Sequence, residues 1–351
     1  MSPAFLTPTR LALSAAAALA TLTCVSAADF RVTTHYPVGG EGFYDYIRFD
    51  PAGNRLFIGH DKRFEVIDAD TGKKLGEIGP AARAHGVALA QEFGRGFATC
   101  GDFKSPHANS VIMFDLGTLK TISVIKVTGK NPDSIEYDPE TKRVYAVNGG
   151  SGDVDVIDPA TGTIVGTVSL VEGKLEQIGF DGRGHAFVNN EEKSSVHAFD
   201  THTLKAIGTW PLAPGEGGTG LAVDRDHHRL FSACGNEKLL VLNSDTGAVV
   251  ATPAIGEDPD GAAYDPATGL VFTSSVAGTL SILHQDSPDS YSTVQTLATA
   301  YGARTIAYDE KTGRAFLVTA KFGPAPAPTP AVPEPRRPVL PGTLEVLVVG
   351  R

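Results

Sequence analysis

Seven positions carry side chains suited to chemistry and recur about 40–48 residues apart: Asp45, His85, Asp133, Glu176, Thr219, Asp260 and Arg304. All but Thr219 can carry charge. A second set runs in step with them: His60, Cys100, Asn148, Asn190, Cys234, Ser275 and Thr319. Carboxylates accept hydrogen bonds from cationic or hydroxylated ligands, Arg grips anions, and imidazole either donates or ligates. His60, His85 and His107 with Asp133 and Glu176 offer the imidazole and carboxylate donors that suit Zn, Cu or Fe, although they have no motif spacing. Asn148, Asn190, Asp133 and Glu176 could instead surround a cation that assists ester hydrolysis. No Ser-centred nucleophile motif and no H-E-x-x-H is present.

The elements that must position these residues are short strands. Asp133 to Leu170 divides at Asp138-Pro139, Asn148-Gly149-Gly150, Asp158-Pro159 and Thr161-Gly162 into four strand-like runs of Val, Ile, Tyr and Thr. Branched and flat side chains suit a pleated, packed surface, whereas Pro, Gly and Asn supply the turn conformations. One such meander cannot bury both of its faces and needs neighbours of its own kind. The neighbours align on a second-strand aromatic: Phe57, Phe97, Tyr145, Phe187, Phe231, Phe272 and Phe316. An acid-containing turn ends the first strand at Asp50, Asp138, Asp181, Asp224, Asp265 and Asp309, and the third strand closes at Asp68, Asp115, Asp158, Asp200 and Asn243. Three markers in phase predict an all-β fold of seven four-stranded antiparallel blades in one ring, with each marker aromatic packed between blades. Phe30 to Tyr36 precedes the first full unit and the last unit has three strands, so the N-terminal strand is expected to close blade seven.

Val144-Tyr145-Ala146-Val147-Asn148, followed by a V-x-V-I-D strand and a T-G turn, resembles the YVTN repeat. The chain as a whole resembles the YncE-like seven-bladed β-propeller proteins of bacterial envelopes. That resemblance implies an envelope protein and suggests nucleic-acid binding. Single-strand binding requires a basic groove with exposed aromatics. The lead residues of the blades instead hold four acids and one Arg. Lys and Arg number 30 against 40 Asp and Glu, and the net charge of −10 disfavours polyanion partners.

Residues 1–28 read as a signal peptide: Arg10, an Ala-rich apolar run from Leu11 to Leu22, and the small-residue site Val25-Ser26-Ala27. The apolar run is shorter than the ~20 residues a membrane span needs. A periplasmic or extracellular location without a membrane span is therefore expected. Residues 29–351 are expected to form the propeller. The Pro-rich stretch 323–341 would be inserted in blade seven as a loop with extended character. Cys100 and Cys234 occupy equivalent sites in blades two and five, nearly opposite on the ring. That separation exceeds the ~7 Å a disulfide permits between Cα atoms and predicts two free thiols. Gly215 to Gly220 matches G-x-G-x-x-G by letter but lies between propeller strands with no helix after it. The recurring D-x-x-T-G is a turn and lacks the alternating acids of a Ca²⁺ loop.

These readings predict a monomeric binding or protein-interaction scaffold that uses the polar axial mouth and requires no cofactor. Asp45, Asp133, Glu176 and Asp260 would be acceptors, His60 and His85 ligands or donors, Arg304 an anion contact, with Asn148 and Asn190 beside them. Its ligand would be a small molecule or a protein. The alternative is a divalent-metal-binding envelope protein or metal-assisted, lactonase-like hydrolase, with His60 and His85 as metal ligands.

Overall fold

The structure is a computed structural model that describes residue 1 and residues 29–102, 109–329, 332 and 335–351. The expected signal peptide, apart from Met1, lies outside the described residues, as does His107. Seven separate four-stranded antiparallel sheets stand around an axis. Blade three consists of Pro132–Asp138, Arg143–Asn148, Asp153–Asp158 and Thr163–Ser169, the meander expected from its turn residues. Blade seven takes Ile306–Asp309, Arg314–Thr319 and Glu345–Gly350 from the C-terminal part and Arg31–Pro37 as its outer strand. Tyr36 pairs with Val346 and His35 with Leu347, so the two ends of the chain close the ring. Stretch 323–341 falls between the second and third strands of this blade, with a Phe322–Val339 bridge at its base.

Each marker aromatic is fully buried and sits in a cluster shared by two adjacent blades. Tyr145 of blade three packs with Leu175, Phe180 and Phe199 of blade four, and Phe316 of blade seven with Ile47 and Phe49 of blade one. Burial of one such ring is worth roughly 2–3 kcal/mol, so the core is a ring of inter-blade layers and not one central nucleus. The recurrent Asp at the end of the first strand caps its own turn. Asp50 accepts from the Ala52 and Gly53 amides, Asp224 from those of Asp226 and His227, and Asp265 from that of Ala267. Blade two has Ala90 there and turns through the 3₁₀ segment Gln91–Phe93, which ends at Gly94 with φ 61°. Cys100 and Cys234 are both free and buried. Among the described residues no helix is long and apolar enough to cross a membrane.

Candidate functional site

The lead residues are brought to the axis by a repeated irregularity. In blades one to six the ladder between the first and second strands shifts register at the lead residue, as between Tyr44 and Ile47 and between Pro132 and Ile135. A bulge of this kind re-aims a side chain that the regular pleat would send elsewhere. Polar side chains on the second strands hold the next blade's lead segment in place. Thr99 donates to the Asp133 carbonyl, and Asn189 donates to the Thr219 and Gly220 carbonyls at 3.0 Å each.

The result is a continuous chain of charge across five blades. Arg304 reaches Asp260 at 3.1 Å and Asp45 at 3.1 Å. His85 Nδ1 lies 2.6 Å from Asp45 and 3.2 Å from Asp133, while its Nε2–H donates to the Gly101 carbonyl at 2.8 Å. Glu176 of blade four pairs with Lys174 at 2.7 Å, and Thr219 of blade five donates to the Pro259 carbonyl at 2.7 Å. Burial disfavours charge on His85, but the Asp133 and Asp45 carboxylates outweigh it and push the imidazole up to about 10. Burial raises Asp260 to about 6 although Arg304 opposes it, and burial together with Asp133 holds Glu176 well above the usual carboxylate range. Arg304 and His85 overcome the burial of Asp45 and lower it. The ring is thus compensated by imidazolium, guanidinium and ammonium, with Glu176 biased toward its neutral acid.

Of the residues singled out from sequence, Asp45, His85, Asp133, Asp260 and Arg304 are joined directly, and Glu176 borders them. His60 is not among them. It is buried in blade one, 3.4 Å from Glu65 and 3.4 Å from Arg63, and makes no pair with His85. Asn148 donates within its own blade to Asp153 at 2.5 Å and Asp155 at 3.2 Å. Asn190 donates to the Val171 carbonyl and meets His197 Nε2 at 3.1 Å. The whole second set is buried within or between blades, because a second strand is covered on both faces. The expected His60–His85 metal pair is therefore corrected. Among the described residues, the side chains close enough to share an ion are Asp45, His85 and Asp133, whose ligand atoms lie within 4.8 Å of one another.

Sequence reading missed four groups. Phe43 lies over the ring, 3.9 Å from the Arg83 guanidinium, 5.6 Å from that of Arg304 and edge-on to His85. Tyr46 comes from the residue after Asp45, and burial with the fields of Asp133, Glu176, Asp45 and Asp260 raises its phenol far above the ordinary value. Beyond it the axis opens into a chamber of about 750 Å³, lined among others by Tyr46, Ser134, Gln177, Arg48 and Glu136. Arg48 of blade one and Glu136 of blade three form a bidentate pair at 2.5 and 2.6 Å, reaching past blade two. A legible signal existed. The residues that pair with the marker aromatics are Arg48, Ala88, Glu136, Gly179, Ala222, Ala263 and Ala307. Two opposite charges stand in a column otherwise of Ala and Gly.

No family model matches the chain, and no curated protein matches it in sequence. Solved structures do resemble it. Kuenenia stuttgartiensis hydrazine synthase superposes with a TM-score of 0.67 at 17% identity, covering 81% of this chain and 94% of that one. U3-55K superposes with a TM-score of 0.71 at 9% identity, covering 91% and 98%. At such identities the likeness establishes the seven-bladed β-propeller fold alone.

Proposed function

We propose that the chain is an exported propeller of the YVTN-repeat, YncE-like kind that serves as a binding or interaction scaffold, with its ligand contacts along the axis. The observation that carries this reading is the convergence of charged side chains from five blades on one ring, next to an axial chamber of ligand size. A ring serving only to hold blades together could be built from apolar groups, since buried ion pairs give little net stability over well-packed hydrophobic residues. Acidic lead residues and a net charge of −10 favour cationic, hydroxylated or protein ligands over nucleic acid. The signal-like residues 1–28 support export to the periplasm or beyond. Two measurements test the reading. N-terminal sequencing of the full chain expressed with its leader should find a periplasmic product starting near Ala28. A thermal-shift panel of amines, sugars, carboxylates and nucleotides should give saturable shifts that change in Asp260→Asn. An uncleaved cytoplasmic product overturns the export reading, and a flat panel overturns the small-molecule one.

The Asp45–His85–Asp133 grouping favours a second reading, a divalent cation in place of the Nδ1 proton. The Nε2–H bond to the Gly101 carbonyl is the orienting contact such ligands use. The side chains would bind the ion. Asn148 and Asn190 stand outside the cluster, so the hydrolase version loses the amide groups it invoked. Stoichiometric metal in purified protein that disappears in His85→Ala would favour this reading, and unchanged ligand binding by metal-free protein would exclude it.

A further inference from the structure

Arg48 and Glu136 stand where the 750 Å³ chamber meets a neighbouring space of about 530 Å³, and both residues line both cavities. Neither space is lined by the lead residues of the charged ring. Blade two offers only Gly86 and Ala88 at the corresponding positions, so nothing separates the guanidinium from the carboxylate two blades away. Three features of this wall point to one ligand chemistry. First, Arg48 already holds a carboxylate in fork-to-fork geometry, with Nη1 and Nη2 each on a separate oxygen of Glu136. Second, the adjoining polar groups have donors to spare. Gln177 Oε1 is taken by the Leu221 amide at 3.0 Å, which leaves its NH₂ without a partner among the described residues. Ser134 Oγ accepts from the Ile178 amide and keeps its own proton to give. Third, Tyr264 and Ile178 line both spaces and offer an apolar surface beside the guanidinium. The acids lining the chamber are Glu136 itself and, at the far end of the strands, Asp309 and Glu310, where Lys311 also lies; Asp226 and Arg225 line the neighbouring space.

We propose that the axial chamber binds a small organic carboxylate with an apolar or aromatic body, and that the ligand takes Glu136's place on Arg48. Glu136 is a stand-in for the ligand and also its competitor. When displaced it keeps the amide of Tyr137, which it accepts at 3.1 Å. The Gln177 NH₂ and the Ser134 hydroxyl complete the cradle around the incoming carboxylate. This inference rests on the scaffold reading and gives it a site and a ligand class, at a place other than the charged ring.

The competition supplies the test. Calorimetric titration of the full chain with benzoate and succinate, with methyl benzoate as the uncharged control, should show carboxylate binding that the ester does not share. Glu136→Gln removes the internal competitor and should tighten benzoate by about tenfold. Arg48→Met should abolish binding, and Arg48→Lys, which keeps the charge and loses the fork, should weaken it by about tenfold. A pair that only braced the wall would give the opposite sign for Glu136→Gln. Equal binding of benzoate and its ester, no carboxylate binding at all, or an unchanged or weaker affinity in Glu136→Gln overturns the proposal. Binding of amines or sugars without carboxylates overturns it while leaving the scaffold reading standing.

Discussion

The same seven inner strands build two different environments along one axis. At their start, Asp260, Arg304, Asp45, His85 and Asp133 alternate in sign from blade to blade and meet at 2.6–3.2 Å with Phe43 above them. Three residues further along, charge survives only at Arg48 and Glu136, and the small residues between them leave an open chamber. In the first environment Asp45, His85 and Asp133 are buried and Asp260 and Arg304 half-buried, and each is ion-paired with a neighbour in the ring. The second is partly exposed, with hydrogen-bond donors in surplus. The difference separates charge that is already ion-paired from hydrogen-bond donors that are still open, two kinds of polar cluster on one axis.

Removing a member of the ring should break this comparison hardest. His85→Ala leaves Asp45 and Asp133 facing each other without the cation between them, and the expected loss is about 3–5 kcal/mol. Denaturant unfolding measures it, and a loss under about 1 kcal/mol would show that the ring carries no committed charge.

The protonation of His85 gives the next largest effect. Its folded value is raised to about 10 from an ordinary 6.5, so the folded state binds the proton more tightly than the unfolded chain does. The stabilisation is complete below pH 6.5 and drains away as pH climbs toward 10. The unfolding midpoint of the wild type should therefore fall between pH 7 and 9, and that of His85→Leu should fall less across the window, keeping only the contribution of the raised Glu176. A wild-type midpoint that is flat there contradicts an imidazolium at the ring.

Crowding beside the ring should give a smaller loss. A Cβ on Gly220 would sit 2.6 Å from the Gly261 carbonyl carbon and 2.7 Å from the Ala262 amide, both backbone atoms of the next blade. Gly220→Ala should cost about 1–3 kcal/mol by pushing blades five and six apart, which the same unfolding experiment reads. Gly235→Ala, whose nearest neighbours are 3.7 Å away, is the matched control and should cost less.

How much of this was legible follows from what repeats. Phe57, Tyr145 and their equivalents revealed the blades because each must fill the same gap between sheets, so the fold and the strand ends were readable from one chain. Asp45, His85 and Asp133 were readable as a set because the bulge holds them at a constant distance from those aromatics. His60, Asn148 and Asn190 have an equally constant spacing, but they lie on strands covered on both sides. Their side chains are turned to neighbours such as Glu65, Asp155 and His197 within their own blades. Spacing does not report which face a residue serves. The Arg48–Glu136 pair escaped notice because it does not repeat: it depends on two blades differing from the other five and on blade two being small.

The gentlest perturbation is also the one that separates the two environments most sharply. Arg48 and Glu136 are 38% and 23% exposed, so solvent screens their attraction despite the two short bonds. Glu136→Gln should change stability by no more than about 1 kcal/mol, well below the loss from His85→Ala. Thermal unfolding of the two variants side by side checks this directly. If Glu136→Gln destabilises as much as His85→Ala, the chamber pair is a structural brace of the same kind as the ring, and the contrast between the two ends of the axis disappears. If it does not, the fold has no need of a bidentate ion pair across a cavity, and its presence there must be explained by what the cavity holds.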